Sequence, residues 1–331
     1  MNESAYSRCV LCLRACGVNR LAGERGFCGE GAALRIAAAC LHRGEEPPLA
    51  GRRGSGTIFV SGCNLRCVFC QNHQISRNKN PPDFLPAMGR AVSADEFAGI
   101  CLLLERRGAA NINIVTGTHA APALAAGIAA ARKRGLSLPV LWNTSGYETL
   151  AAVESLAEWV DVFLPDIKTL DGKTARQFFN AEDYPEAAAA AIKKMTALKP
   201  PVYAGDALVQ GVIVRHLALP GHLEDTRRVL EWFAANAKGR ALLSLMTQYT
   251  PIGTRKAAQE PEEKGENNEP LRFLSESEYE SLLLLLSELG LEDGYYQELE
   301  TGADWLPDFS KPEPFPGDLA DCLWHWKEAP G

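Results

Sequence analysis

The middle of the chain alternates between short apolar segments and longer segments that carry helix signals. The short segments hold four to six residues, many of them β-branched, which predicts buried strands. The predicted strands are 57–60, 111–115, 139–142, 160–164, 211–215 and 241–246.

Helix signals follow these strands. Ser93 and Glu96 form a capping box, and Gly135 ends an alanine-rich segment at Arg134. Strand and helix therefore alternate six times, which predicts an α/β fold in which crossover helices join parallel strands. The predicted helices are 93–107, the alanine-rich segment that ends at 134, 148–159, 172–179, 186–198 and 224–235.

Polar residues follow the C-terminal end of every predicted strand. In barrels of parallel strands these ends meet at one face, where functional residues gather. Loops are polar in most proteins, so any single residue here has an ordinary alternative. The set predicts a ligand site built from Ser61-Gly62-Cys63, 116–119, 143–146, 165–168, Arg215-His216 and 246–249.

Composition and charge narrow the class of protein. The chain of 331 residues has 46 % hydrophobic and 23 % charged residues, which excludes wholesale disorder. The net charge of −7, without a block of basic residues, argues against nucleic acid or an anionic membrane as a partner. No stretch reaches the roughly 18 apolar residues of a spanning helix. Residues 1–8 lack an apolar core, so no signal peptide is predicted and a cytoplasmic location is expected.

Structural disulfides are rare in that compartment, so the ten cysteines need another explanation. Cys63, Cys67 and Cys70 have the spacing C-x3-C-x2-C, and three thiolates within eight residues can hold one face of a [4Fe–4S] cluster. Structural zinc sites and electron-carrier clusters use four ligands, so three leave one iron open. The alternatives are chance and a zinc site that His73 completes.

This spacing resembles the signature of radical S-adenosylmethionine (SAM) enzymes, with Phe69 at its aromatic position. The flanking segments 54–63 and 70–72 are similar to the branch that contains pyruvate formate-lyase activating enzyme. The N-terminal Cys-x2-Cys, Cys16-Gly17-Val18-Asn19-Arg20 and Gly44-Glu45-Glu46-Pro47-Pro48 resemble an activating-enzyme-like subgroup of it. The resemblance covers most of the chain and implies a partial (β/α)6 TIM-like barrel. It is weak evidence for the substrate.

The resemblance implies that Cys63, Cys67 and Cys70 hold three irons and that SAM chelates the fourth. Reductive cleavage of SAM would give a 5′-deoxyadenosyl radical that removes hydrogen from a substrate. Phe69 would lie against the adenine, or pack in the core beside the cluster. Where relatives carry Gly-Gly-Glu-Pro, this chain has Thr116-Gly117-Thr118-His119, so the carboxylate that would meet the SAM amino group is missing.

The remaining candidates for SAM or substrate contacts lie at later strand ends. The expected contacts are the ribose hydroxyls for Asn143 and Ser145, the SAM amine or a cation for Asp166, and a carboxylate for Lys168. Arg215 has the forked geometry that suits a carboxylate. His216 is either a contact for SAM or substrate or an ordinary structural histidine. For Asp166 and Lys168 the alternative is an ion pair on the surface. Gln248 and Tyr249 are expected to face the substrate.

A second cysteine group lies near the N-terminus, where few apolar residues are available to form a core. Four cysteines can form a closed zinc site or an auxiliary [4Fe–4S] cluster. Unligated cysteines and a redox disulfide remain alternatives. Cys40 and Cys101 lie in apolar segments and are expected in the core, and Cys322 has no predicted role. The group consists of Cys9, Cys12, Cys16 and Cys28.

Three regions are predicted: a cysteine-rich metal-binding lobe at 1–52, the barrel at 53–250, and a C-terminal part at 251–331. The C-terminal part should contain an acidic loop at 260–270, a helix at 275–289 that Ser275 and Glu278 cap, a short strand at 295–297 and a tail that wraps the barrel.

The sequence as a whole predicts an anaerobic radical SAM oxidoreductase that takes electrons from a reductant such as flavodoxin or ferredoxin. Its substrate would be a glycyl radical enzyme, another protein, a peptide or a small molecule. An iron–sulfur electron carrier without chemistry of its own and a zinc-stabilised binding module are the alternatives.

Overall fold

The computed structural model describes residues 3–77, 88–252, 272–299, 302 and 306–327. Its α/β architecture confirms the predicted fold class, because one large sheet is flanked by helices. The strands are β1 Leu34–His42, β2 Ser55–Val60, β3 Arg90–Val92, β4 Ile112–Val115, β5 Val140–Thr144, β6 Val162–Pro165, β7 Val202–Ala204, β8 Ala207–Leu217, β9 Leu242–Met246, β10 Tyr295–Tyr296 and β11 Ala320–His325.

The helices lie where the sequence signals predicted them, with two short additions. Both predicted capping boxes form: Ser93 accepts from the backbone of Glu96, and Ser275 accepts from the backbone of Glu278. The helices are α1 Pro47–Ala50, α2 His73–Ser76, α3 Ala94–Arg106, α4 Ala121–Lys133, α5 Leu150–Leu156, α6 Gly172–Phe179, α7 Tyr184–Leu198, α8 Leu223–Asn236 and α9 Glu276–Glu288.

The sheet order is β10-β9-β8-β6-β5-β4-β2-β1-β11, while β3 pairs with β1 and β7 pairs with β8. The six strands β2, β4, β5, β6, β8 and β9 are parallel, and they are the six that the sequence predicted. Among the described residues, the outermost strands β10 and β11 do not pair with each other, so the architecture is a partial barrel.

Two strands that the sequence did not predict extend the sheet beyond β2. β1 runs antiparallel to β2, so this part of the predicted N-terminal lobe belongs to the sheet. β11 runs antiparallel to β1, so the C-terminal tail adds a strand rather than only crossing the surface. Cys322 of β11 lies opposite Cys40 of β1. Cys40 and Cys101 are fully buried, as expected of core residues.

Helix α1 closes the inner space of the barrel from one side. Leu49 is buried and packs with Leu141 of β5 and Ile213 of β8 among other apolar side chains. Because side chains alternate along a strand, Asn143 shares the inward face with Leu141. Glu45 and Glu46 directly precede α1, and this packing places them at the inner space of the barrel.

Helices α3 and α4 pack so closely at Gly127 of α4 that a larger residue would not fit there. A Cβ at Gly127 would lie 2.5 Å from Cδ1 of the fully buried Phe97. Gly127→Ala is therefore expected to lower the free energy of unfolding by about 1–3 kcal/mol. Gly99→Ala is the matched control, since nothing lies within 4 Å of a Cβ there and better helix propensity should stabilise by about 0.5–1 kcal/mol.

Urea denaturation of both variants measures these two changes in the free energy of unfolding. Changes of the same sign would contradict the packing of Gly127 against Phe97.

In the described part of the chain, no helix is long and apolar enough to cross a membrane. The predicted acidic loop at 260–270 lies outside the described residues.

Candidate functional site

The loop that follows β2 brings the three cysteines of the C-x3-C-x2-C segment together. Cys63 and Cys67 are buried and Cys70 is partly buried, and all three are free thiols. The backbone N–H groups of Leu65 and Arg66 donate to Sγ of Cys63 over 3.3 and 3.5 Å. The loop bends sharply because Gly62 has φ +86°, and a side chain there would meet Glu30 and His119.

The charges of this loop act on the thiols in opposite directions. Burial raises the pKa of Cys63 and of Cys67, and the neighbouring thiols raise it further. The ammonium of Lys168 opposes this shift at both sulfurs, so a cation lies close enough to favour thiolates. The cysteine loop therefore carries both the donors and the nearby positive charge that a thiolate ligand set needs.

Asp166 and Lys168 form a mostly buried ion pair at the end of β6. Nζ of Lys168 lies 2.6 Å from Oδ2 of Asp166, and each side chain is less than one fifth exposed. Burial alone would lower the pKa of Lys168, but Asp166 and then Cys67 reverse this and raise it. The pair is thus buried beside the cysteine loop, rather than lying on the surface as the alternative reading had it.

Phe69 is buried among other aromatic side chains. Its ring lies edge-on to Phe178 at 5.7 Å, to Phe179 at 5.9 Å and to Tyr249 at 6.1 Å between centroids. These contacts describe the core-packing alternative, and contact with adenine stays a prediction. Tyr249 belongs to the same cluster and is buried.

The hydroxyl of Thr118 donates a hydrogen bond within the protein. Its Oγ1 donates to Oε1 of Glu148 over 2.8 Å, and the Thr118 side chain is buried. The hydroxyl proton is therefore engaged, while the oxygen keeps a lone pair that can accept from a ligand donor, so the SAM contact expected of Thr118 stays a prediction. Gly117 is required for packing, since a Cβ there would lie 2.5 Å from the ring of Trp142.

Glu148 is a buried residue of this region that the sequence did not single out. Oε1 also accepts from Nε1 of Trp142 over 2.7 Å and from the hydroxyl of Thr144 over 3.0 Å, whereas Oε2 has no partner in the described structure. Burial raises the pKa of Glu148, and the three hydrogen bonds oppose this rise. Glu148 thereby ties the ends of β4 and β5 together.

Arg215 is held by two carboxylates from the segment before α1. Its Nε and Nη2 donate to Glu46 over 2.8 and 2.5 Å, and Nη2 also donates to Oε2 of Glu45 over 2.5 Å. Arg215 is therefore paired with carboxylates of the protein, and its contact with a ligand carboxylate stays a prediction. The three side chains are each less than one tenth exposed.

His216 points away from Arg215. Nδ1 lies 2.7 Å from the carbonyl oxygen of Ile167, and Nε2 lies 3.0 Å from the hydroxyl of Thr226. Burial lowers the pKa of His216. Both ring nitrogens have partners within the fold, which favours the structural role that the sequence left open. Contact with SAM or substrate stays a prediction.

A cavity of about 380 Å³ lies inside the barrel and extends to the cysteine loop. Gln71 and Asn72, which directly follow Cys70, line it, and so does Asn143. Ser145 does not line it but donates to Oδ1 of Asn64 over 3.4 Å. Other lining residues are Glu45, Glu46, Arg215, Ser244, Gln248 and Tyr295.

Comparison with known proteins decides the family. A family model described as the Radical SAM superfamily matches residues 57–233, which is more than half of the chain. This chain belongs to the radical SAM superfamily. The uncharacterized protein MJ0674 of Methanocaldococcus jannaschii is 30 % identical over 254 residues, which cover 75 % of this chain and 68 % of MJ0674.

Solved structures with a similar chain path include other radical SAM proteins. SuiB of Streptococcus suis bound to SAM has 12 % identity and a TM-score of 0.49, covering 71 % of this chain and 48 % of SuiB, so the chain spans about half of SuiB. A domain of pyruvate-formate lyase-activating enzyme from Bacteroides vulgatus has 13 % identity and a TM-score of 0.36, and the match covers 52 % of this chain and 87 % of that domain. A radical SAM methyltransferase from Sphaerobacter thermophilus has 15 % identity and a TM-score of 0.45, and the match covers 76 % of this chain and 68 % of the methyltransferase. At these values the likeness says nothing of substrate or reaction.

Radical SAM membership implies a [4Fe–4S] cluster and SAM, and the cysteine loop fits the cluster by its chemistry. It has three thiols within eight residues that influence one another electrostatically, backbone N–H groups on one sulfur, and the hydroxyl of Ser76 on Sγ of Cys70 at 3.4 Å. Within the described ranges, no three His, Cys, Asp or Glu side chains are gathered as closely as a metal ion requires. The ligand assignments thus rest on spacing and family rather than on metal geometry.

The N-terminal cysteine group packs against the radical SAM loop. Cys9, Cys12 and Cys28 are buried and Cys16 is exposed. Burial raises the pKa of Cys12 to about 12 and of Cys28 to about 11, and neighbouring cysteines add to both shifts. The metal expected here is not supported by the geometry and stays a proposal.

Arg14 attaches this lobe to the barrel. Its Nε donates to the carbonyl of Asn64 over 2.9 Å, and Nη2 donates to the carbonyl of Phe179 over 2.7 Å. The guanidinium also lies 3.8 Å from the ring centre of Phe27. The lobe is therefore held directly beside the segment that carries the cluster cysteines.

Proposed function

We propose that this chain is an activating-enzyme-like radical SAM oxidoreductase that removes a hydrogen atom from a substrate bound in the barrel. The observation that carries the proposal is the continuity of the cysteine loop with the cavity. Gln71 and Asn72 follow Cys70 directly and line a space that Asn143 and Arg215 also line. A radical formed at the cysteine loop would therefore arise next to a cavity that can hold a ligand.

Each part of the site has a role in this proposal. Cys63, Cys67 and Cys70 hold the cluster, which together with SAM supplies a 5′-deoxyadenosyl radical. Lys168, fixed by Asp166, keeps positive charge beside the thiolates and so stabilises them. The aromatic side chains around Phe69 exclude water from the same loop.

The activating-enzyme subtype rests on the segments 54–63 and 70–72 and on the N-terminal cysteines. The substrate within this proposal is a glycyl radical enzyme, another protein, a peptide or a small molecule. Flavodoxin or ferredoxin is the proposed reductant. Zinc or an auxiliary [4Fe–4S] cluster is proposed at Cys9, Cys12, Cys16 and Cys28.

The proposal predicts that protein reconstituted without oxygen contains about four irons per chain and converts SAM to 5′-deoxyadenosine when dithionite is added. Iron and zinc are counted by elemental analysis, and the nucleoside is quantified by chromatography. About eight irons would place an auxiliary cluster at the N-terminal group, whereas four irons with one zinc would place zinc there.

Two results would contradict the proposal that this chain is an enzyme. A full cluster that never cleaves SAM would favour an electron carrier, and zinc without iron would favour a binding module. Omitting dithionite is the control, because cleavage that needs no electron is not the proposed reaction.

A further inference from the structure

Two cysteines that the proposed radical chemistry does not use face each other across the sheet. Cys40 of β1 and Cys322 of β11 are opposed in an antiparallel pair, and both are free thiols. Residues opposed in this way have Cα atoms about 4.5–5.5 Å apart, which lies within the about 4.4–6.8 Å that a disulfide spans. The backbone therefore already holds the two residues at a separation that a disulfide allows.

An irregularity in β11 puts the two thiols on the same face of the sheet. Ala39 pairs with Trp324. The next pair along β1 is Cys40 with Cys322, so Leu323 is an extra residue that forms a β-bulge. Without this bulge, Cys40 would face Leu323. Instead, Cys40 and Cys322 pack in one apolar cluster, whereas Leu323 packs with Ala39 in the cluster on the other face.

The two thiols differ in their access to solvent. Cys40 is fully buried, and a side-chain hydrogen bond with Cys322, together with burial, raises the pKa of Cys40. Cys322 is partly exposed. Its Sγ lies 3.3 Å from the carbonyl oxygen of Trp324 and 3.9 Å from that of Ala39, the neighbour of Cys40. An oxidant in solution can therefore reach Cys322 but not Cys40.

Strand β11 continues a segment of the C-terminal tail that forms part of the cavity wall. Phe315 and Leu319 line the cavity, and β11 begins at Ala320. The ring of Phe315 lies 5.3 Å from that of Phe59 between centroids, in the same apolar cluster as the two cysteines. Fastening β11 to β1 would therefore hold this part of the wall in place.

We propose that Cys40 and Cys322 are a redox modification site, at which a reversible disulfide fastens β11 to β1. Cys322 attacks a small-molecule disulfide such as oxidised glutathione, which breaks the S–S bond and releases one thiol that takes up the proton of Cys322. Cys40 then attacks the sulfur of Cys322, gives up its proton and releases the second thiol. One small-molecule disulfide is thus reduced to two thiols, while two protein thiols are oxidised to one disulfide. Disulfides in reducing compartments are mostly transient and serve as redox sensors, and partly exposed disulfides are the labile ones.

The test treats the full chain with oxidised glutathione, blocks the remaining thiols with N-ethylmaleimide and maps disulfides after trypsin digestion without a reducing agent. The tryptic peptides 36–43 and 273–327 each contain a single cysteine, which is Cys40 in the first and Cys322 in the second. We expect them as one linked species, about 2 Da lighter than their sum because two hydrogens are lost, from a chain that migrates as a monomer. Dithiothreitol should separate the two peptides again.

Hydrogen exchange measures whether the disulfide fastens the strand. Amides of β11 should exchange about 10-fold or more slowly in the oxidised chain, because the bond opposes local detachment of β11 from β1. The amides of β10, at the opposite edge of the sheet, are the internal control and should exchange as before.

Two variants separate this cysteine pair from other thiols. Cys322→Ala should abolish both the linked peptides and the slower exchange. Cys101→Ala removes a fully buried thiol of α3 and should keep both.

Several outcomes would overturn the proposal. They are two free thiols after oxidation, glutathione left on Cys322, a disulfide from Cys322 to another cysteine or to a second chain, and unchanged exchange of β11 in the linked chain. The mapping uses the unmodified chain, so it decides the matter even if a variant fails to fold. Neither readout needs a cluster or SAM cleavage, so this inference is tested separately from the proposed function.

Discussion

Replacing Arg215 by methionine is expected to lower the free energy of unfolding by about 3–5 kcal/mol at neutral pH. Glu45 and Glu46 both accept hydrogen bonds from this guanidinium, and each of their side chains is more than nine-tenths buried. Without it, two carboxylates would face each other in the interior with no cation beside them. Urea denaturation, followed by far-ultraviolet circular dichroism, measures the loss.

The pH dependence of this loss identifies its cause. Burial alone would raise the pKa of Glu46, but Arg215 holds it below its ordinary value of 4.5. The stabilisation from this pairing is therefore present above pH 4.5 and is lost as pH falls through the folded pKa. In Arg215→Met nothing offsets the burial that raises the pKa of Glu46, so the cost of its charged form grows as pH rises.

The difference between the two proteins should consequently be larger at pH 7 than near pH 4. Arg227→Met is the control, because Arg227 is 44 % exposed and its ion pair with Glu288 spans 3.5 Å. An exposed pair is worth about 0–1 kcal/mol, so this variant should change little at either pH. A loss in Arg215→Met that does not depend on pH would show that packing, rather than charge, is responsible.

The parts of the fold that depend on local chemistry were predictable from the sequence. The capping boxes at Ser93 and Ser275 need only residues three positions apart, and both form. The six parallel strands follow from alternation with helices. β1 was not predicted as a strand because its centre is alanine-rich, and alanine favours helices over strands. Its pairing with β11 joins residues nearly 300 positions apart, as Ala38 with His325 shows, and no local pattern encodes this.

The site shows the same division. Asp166 and Lys168 are two residues apart, and alternation correctly placed them on one face, where they pair. The same rule could have separated Arg215 from His216, since adjacent strand residues point to opposite faces. The partner of Arg215 could not be predicted, because Glu46 is 169 residues away in the chain.

Glu148 illustrates a second kind of difficulty. The sequence placed it at the start of a helix, whereas the helix begins at Leu150 after its cap, Thr149. Its carboxylate instead receives hydrogen bonds from two neighbouring strand ends. Such a role depends on how strands are ordered in the sheet, which is known only once the sheet is assembled.

Cys67→Ala is expected to reduce both cluster iron and SAM cleavage to background. Cys67 is buried within the loop and supplies one of only three thiolates, so its loss leaves two protein ligands for the cluster. The effect should exceed the roughly 10–100-fold that changes around a metal ligand cause. It is measured as iron per chain and as 5′-deoxyadenosine formed with dithionite.

Cys101→Ala is the matched control for this substitution. Cys101 is equally free and fully buried, but it lies in α3 within the apolar core. Its variant should keep the iron content and the SAM cleavage of the unmodified chain. Far-ultraviolet circular dichroism of both variants separates the loss of a ligand from the loss of the fold. If Cys67→Ala kept its iron and still cleaved SAM, the cluster would have to be held by other cysteines, and the N-terminal group beside the loop would become the first candidate. If both variants lost activity while remaining folded, general thiol loss rather than cluster ligation would explain the result.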